Sequence, residues 1–318
     1  MDFIGDTKID WIKYRWHFII LSLILAIVGA LDIARKGGLR YGIDFSEGTI
    51  VYAKFTNTPE VDVIRDQLQA AGVGNAVIQR YDREELNEVM IRVERAGTGG
   101  ELDDTANAIL QTLRENVPGN ELVDASTEIV GPVVGAALRR QARNATLFAL
   151  VAMLLYIGFR FEPVYGVGAT IAVIHDVLLA LGLVSIFNFE ISLYVIAAFL
   201  TLVGYSVNDT IVIFDRVREN RKLVRRSSLR EIINLSINQT LRRTVLTSTL
   251  TLLVVVALYL MGGAVLRGFS FVLVAGVIIG TYSSIAIASP IVLWWRALRD
   301  GPTRSRSQSK TETHEARV

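Results

Sequence analysis

The sequence predicts a polytopic α-helical membrane protein: six transmembrane helices plus one extracytosolic α+β domain of ferredoxin-like plan. Three observations carry this. Hydrophobic residues make up 51% of the 318 residues and the mean hydropathy is +0.41, too high for a water-soluble domain and too low for spans alone. Six stretches approach the roughly 20 mostly apolar residues that cross a bilayer. A long polar stretch between the first two of them alternates strand and helix patterns.

The expected spans are His17–Ile33, Ala145–Ile157, Val164–Phe187, Ser192–Phe214, Val245–Met261 and Phe269–Trp294. The first apolar run is longer than the ~7–15 residues of a signal-peptide core, so it reads as an uncleaved span. Lys and Arg set the orientation. Nine crowd one loop, from Arg216, Arg218 and Arg221 through Arg230 to Arg242 and Arg243, whereas the two short loops on the other side hold Arg267 alone. Positive charge stays on the cytosolic side, which places both termini there. Trp11, Trp16, Trp294 and Trp295 sit at predicted cytosolic interfaces, where indole rings prefer to lie. The organisation is then a cytosolic segment at 1–16, a first helix at 17–34, an outside domain at 35–143, five further helices at 144–295, and a tail at 296–318. The tail is polar without apolar period and reads as disordered.

Within the outside domain, Thr49–Thr56 is rich in β-branched and aromatic residues. Pro59–Ala71 has helical spacing, with Val61, Ile64 and Leu68 on one face. Ala76–Tyr81 and Glu88–Glu94 read as strands joined by a charged turn at Asp82–Glu85. Glu101–Val117 is helical again and Leu122–Val130 returns to strand. The order β-α-β-β-α-β is that of a split βαβ unit. The domain holds no nucleophile with a base and no metal-ligand spacing, and Gly97–Gly100 lacks the strand–turn–helix frame of a phosphate cradle. It reads as a binding or mechanical module. With no cysteine and three histidines in the chain, disulfides and thiolate chemistry are excluded.

Charged groups inside spans are costly and mark function by default. Asp209 lies in the fourth span, flanked by Asn208 and Thr210, which could cap it. The alternative is a proton carrier, because burial and a nearby cation act on a carboxyl group in opposite directions. Arg242 and Arg243 open the fifth span; they point about 100° apart, so one of them faces the fourth span more easily. Thr244, Thr247, Ser248 and Thr251 then repeat at helical spacing as a hydroxyl stripe, either a hydrated proton path or side chains bonded to their own backbone. His175 and Asp176 fall near the middle of the third span, and helix neighbours face different ways. In the loop 216–243, Ser228-Leu229-Arg230-Glu231 is a capping box. Leu229, Ile232, Ile233, Ser236, Ile237 and Leu241 follow as an apolar face, which predicts an amphipathic helix lying along the membrane.

Several of these segments together resemble a known family. They are Tyr41-Gly42-Ile43-Asp44-Phe45, Val130-Gly131-Pro132, His175-Asp176-Val177, Gly204-Tyr205-Ser206-Val207-Asn208-Asp209-Thr210, Asn238-Gln239-Thr240-Leu241 followed by Arg243-Thr244, and Gly280-Thr281-Tyr282-Ser283-Ser284-Ile285. The sequence is similar to the SecF family, the smaller membrane subunits of the SecD–SecF accessory complex of the bacterial Sec translocase. The resemblance implies proton-driven help in protein export at the cytoplasmic (inner) membrane, with no enzymatic step and no cofactor beyond the coupling ion H+. Implied partners are a SecD-like subunit, the SecYEG translocon, YajC, an unfolded preprotein and membrane lipid, with no nucleic acid. It implies that Asp209, Arg243 and Thr247 serve proton passage; by their place in the spans alone, Asn208, Ser248, Thr251, His175 and Asp176 are further candidates along the path. Two positions depart from the family pattern: Glu47 stands where a glycine is usual, and Arg242 where a small residue is common. A second reading is a proton-coupled exporter of small molecules or lipids on the resistance–nodulation–division plan, and a third is an intramembrane enzyme using His175 and Asp176.

Overall fold

A computed structural model describes residues 7–300 except 43, 46–47, 75, 82–86, 95–101, 116 and 118–119. The turn at Asp82–Glu85, the glycines Gly97–Gly100, Glu47 and the tail from 301 lie outside the described residues.

A short 3₁₀ turn, Trp11–Tyr14, leads into α1 (Arg15–Arg35). The polar stretch then folds as β1 (Gly48–Phe55), α2 (Val61–Ala70), β2 (Val77–Tyr81), β3 (Glu88–Glu94), α3 (Leu102–Glu115) and β4 (Leu122–Val130). The strands form one antiparallel sheet in the order β2-β3-β1-β4. Alternation decides which face is covered: Val51, Ala53 and Phe55 of β1 with Val89, Ile91 and Val93 of β3 point to one side. They pack there on Ile64 and Leu68 of α2 and on Ile109 and Leu113 of α3.

The remaining helices are α4 (Pro132–Arg160), α5 (Pro163–Ile186), α6 (Leu193–Leu223), α7 (Leu229–Met261) and α8 (Gly263–Ser283). A π-turn at Ser284–Ala288 joins α8 to α9 (Ser289–Asp300). Proline at the first turn of α4 and α5 starts each helix where no N–H partner is needed. Six helices are long and apolar enough to cross a membrane, α8 and α9 counting as one. Small residues set the closest approaches. A Cβ on Gly29 of α1 would lie 2.6 Å from the Cα of Gly182 on α5, and one on Gly280 of α8 would lie 3.2 Å from the Cβ of Ser206 on α6. Without water between helices, backbone proximity of this kind is what holds a bundle together.

Two expectations need correction. The helices of the second and fifth spans begin well before their apolar runs, at Pro132 and Leu229. The amphipathic stretch in 216–243 is therefore not a separate helix along the membrane. The Ser228–Glu231 capping box starts one uninterrupted helix of 33 residues that runs to Met261. No glycine or proline interrupts it, and its apolar residues Ile232, Ile233, Ile237 and Leu241 are buried with Ile12 and Val217 against protein rather than lipid.

The sheet unit grips the bundle at the turn between α5 and α6. Tyr41 and Ile191 form a parallel bridge, in which the Gly42 N–H donates to the Ile191 carbonyl at 2.8 Å and the Ile191 N–H to the Arg40 carbonyl at 2.7 Å. The Leu193 N–H, first in α6, donates to Asp44 Oδ2 at 2.8 Å. Arg92 of β3 pairs with Glu190 at 3.0 Å.

Candidate functional site

Among the described residues, two clusters built round a buried carboxylate lie inside the bundle, both touching α6 and α8. The first surrounds Asp209, whose residue is only 4% exposed. Ser248 of α7 donates to its Oδ2 at 3.5 Å, the outer limit of a hydrogen bond. Ser248 Oγ in turn accepts from Tyr205 at 3.1 Å and contacts Thr281 Oγ1 of α8 at 2.8 Å. Thr281 also reaches the Val277 carbonyl at 2.6 Å. A hydroxyl has one proton to give. Ser248 accepts from both Tyr205 and Thr281, which leaves its own proton for Asp209, and among the described residues it is that carboxylate's one side-chain donor.

The second cluster surrounds Asp176 of α5, 1% exposed. Ser283 of α8 donates to its Oδ2 at 2.7 Å, Ser206 of α6 donates to the same oxygen, and His175 Nδ1 lies 2.8 Å from Oδ1. Although adjacent on the helix, His175 and Asp176 meet each other. With Nδ1 turned to the carboxylate, His175 Nε2 is left buried without a partner. Ser206 stands one helical turn before Asp209, so α6 carries one carboxylate and a contact to the other on successive turns.

The other residues singled out in the sequence are arranged differently. Arg243 is exposed and forms no ion pair among the described residues; it acts on Asp209 only through space. The Thr247 hydroxyl donates to the carbonyls of Arg243 and Thr244, and that of Thr251 to Thr247. Their hydroxyls are thus bonded to their own helix, and Ser248 alone of the stripe reaches Asp209. The Thr244 hydroxyl is buried without a partner. Asn208 faces outward. Tyr205, Ser206, Thr281 and Ser283 were not singled out, although hydroxyls spaced along apolar spans are the signal that marks them. No group of three His, Asp or Glu side chains is gathered as for a metal ion among the described residues.

Residues 109–298 match the family described as protein export membrane protein SecD/SecF, C-terminal. The protein translocase subunit SecF of Desulfurispirillum indicum is 41% identical over 309 residues, covering 96% of this chain and 97% of that one. The chain belongs to the SecF family. The SecF subunit of Escherichia coli O157:H7 is also 41% identical, over 91% of this chain and 88% of its own. Among solved structures, the crystal structure of SecDF from Thermus thermophilus, a translocon-associated membrane protein, superposes with a TM-score of 0.81 at 37% identity. It covers 92% of this chain, which spans 39% of the SecDF chain. SecDF in its super-membrane-facing form gives a TM-score of 0.66 at 35% identity.

Proposed function

We propose that this SecF-family chain pairs with a SecD-like subunit and uses the proton-motive force to promote export of preproteins through the SecYEG translocon. It acts at the bacterial inner membrane, with both termini cytosolic and the sheet unit outside. The excess of Lys and Arg around residues 216–243 supports that orientation. The strand order β2-β3-β1-β4 with two helices on one face supports a ferredoxin-like plan for the outside unit. The crystal structure of a SecDF chain more than twice as long supports a SecD-like partner for the remainder.

The observation that carries the proton assignment is the contrast between the two buried carboxylates. Asp176 receives two hydroxyls and a histidine nitrogen, which is nearly the full complement an ionised carboxylate wants. Among the described residues, Asp209 has one marginal side-chain donor. A buried charge so poorly satisfied is the expensive state, and taking up a proton removes the expense. Asp209 is therefore the group that cycles between charged and neutral, and Arg243, at the start of the apolar part of α7, is the cation that a shift of α7 would bring toward it. Asp176 is the fixed post that holds α5, α6 and α8 in register. Asp209 and the domain joint are on the same helix: α6 is held by Asp44 and Ile191 at one end and carries the carboxylate farther along. A change in how α6 packs around Asp209 is thereby passed to the outside unit, which leans on the trans-side preprotein. Apart from the O–H bond made and broken at Asp209, neither step changes a covalent bond in the protein.

Asp209→Asn keeps the size and removes the titrating proton. In membrane vesicles with the partner subunits present, export driven by an imposed proton gradient falls to the level seen without the gradient, while gradient-independent export is unchanged. Wild-type gradient-driven export in Asp209→Asn would overturn the assignment.

A further inference from the structure

The cleft between α4 and the α5–α6 pair is a site of a different kind. α4 is sparsely packed: 6% of its apolar window is buried, against 50% for α5 and 44% for α6. The cleft encloses a cavity of about 810 Å³, in the range of small-molecule sites. Leu147 of α4, Leu181 of α5 and Phe199 of α6 are among its apolar walls, and Tyr41 and Phe45, from the segment that joins the sheet unit to the bundle, line it as well. Arg139, Arg140 and Arg143 are its cationic lining, all within the turns of α4 that precede the apolar run from Ala145. That placement puts the guanidiniums at headgroup depth, on the membrane face that carries the sheet unit. Among the described residues none of the three forms an ion pair.

Three unpaired guanidiniums above an apolar cleft match one ligand chemistry, an anion with long hydrocarbon attached. Arginine binds phosphate through two parallel N–H bonds, so it suits a phosphate ester better than a diffuse charge. An unfolded peptide fits less well, because its backbone N–H and C=O groups would face Leu147, Leu181 and Phe199 with no partner. We propose that this cleft binds an anionic phospholipid, its phosphate on Arg139, Arg140 and Arg143 and its acyl chains along the apolar walls. Phe45 and Ile191 are buried in the same apolar cluster as Ala142 of α4. The lipid therefore lies directly beneath the joint through which the sheet unit holds α6, and lipid occupancy stiffens that joint.

The test is native mass spectrometry of the purified, delipidated full chain titrated with phosphatidylglycerol or phosphatidylcholine. Wild type retains phosphatidylglycerol in preference to phosphatidylcholine. The triple variant Arg139→Gln, Arg140→Gln, Arg143→Gln binds it at least about tenfold more weakly, as expected when several headgroup-level cations are removed. A control triple variant at the opposite end of the bundle, Arg218→Gln, Arg225→Gln, Arg226→Gln, binds as wild type. Leu147→Trp, which leaves all three arginines in place and fills the cleft from an exposed helix face, also loses the lipid; circular dichroism confirms that each variant retains its helices. Equal retention of phosphatidylcholine, undiminished binding in the α4 triple variant or in Leu147→Trp, or displacement of the lipid by an apolar peptide at matched concentration would each overturn the proposal.

Discussion

Asp44 accepts the Leu193 N–H at 2.8 Å, across the joint between the sheet unit and the helix that carries Asp209. Ser192 is the N-cap of that helix and accepts from Val195 at 3.2 Å, so the first turn of α6 has two acceptors, one local and one from the outside unit. Removing an N-terminal acceptor costs about 1 kcal/mol, and losing a negative charge beside a helix N-terminus costs about 0.5 kcal/mol more. Asp44→Ala therefore loses about 1.5 kcal/mol at that amide, which is about a tenfold rise in local opening. Asp44→Asn keeps an acceptor and loses only the charge, so its opening rises about twofold to threefold. Hydrogen exchange of the Leu193 amide in nanodisc-embedded protein reads this directly. The Val195 amide, held by Ser192, is the internal control and stays within about twofold. If Asp44→Ala left Leu193 exchange at the wild-type rate, Asp44 would not hold α6, and the mechanical link from Asp209 to the outside unit would lose its support.

Other outcomes follow from the same geometry. Gly29→Ala places a methyl 2.6 Å from the Gly182 backbone, which no rotamer can relieve; overpacking of this kind costs about 1–3 kcal/mol, and thermal unfolding in micelles followed by tryptophan emission shifts down by several degrees. Asp10, at the start of the chain's first turn, is affected most by burial, which raises its pKa, but hydrogen bonds from Asn234, the Lys13 N–H and Arg230 together hold it below the usual carboxylate range. A depressed pKa contributes stability above the unfolded value, lost as pH falls through the folded one. The N-terminal segment accordingly opens from α7 more readily as pH falls below about 4. Limited proteolysis near Asp10 reports the release, and Asp10→Asn abolishes its pH dependence.

Much of this architecture was legible in the sequence because spans and strands are written in periodicity. Six apolar runs and the β-α-β-β-α-β order each depend on local pattern, and local pattern is what a single sequence carries. The placement of Asp209 inside a span followed from the same runs. Its partner did not, because Ser248 and Thr281 come from two other helices, and which of their faces meets α6 is set by contacts between distant residues, such as Gly280 of α8 against Ser206. The helical hydroxyl stripe was visible, but which of its members turn back onto their own carbonyls depends on what faces them. The face of Ile232, Ile233 and Ile237 reads the same whether lipid or protein covers it. Only the absence of any breaker after the capping box hinted that the helix would continue straight into the span.

The π-turn at Ser284–Ala288 gives the last span two reading frames. Each residue advances a helix by about 100°, so the extra residue of a π-turn rotates everything beyond it relative to the α-helical frame before it. Ahead of the turn, Ser283 is phased to meet Asp176. Beyond it, Trp294 is phased to meet Trp16, 5.7 Å away across the first span. The span therefore behaves as two keyed pieces on one axle, with the wholly buried turn at 284–288 as the coupling between them.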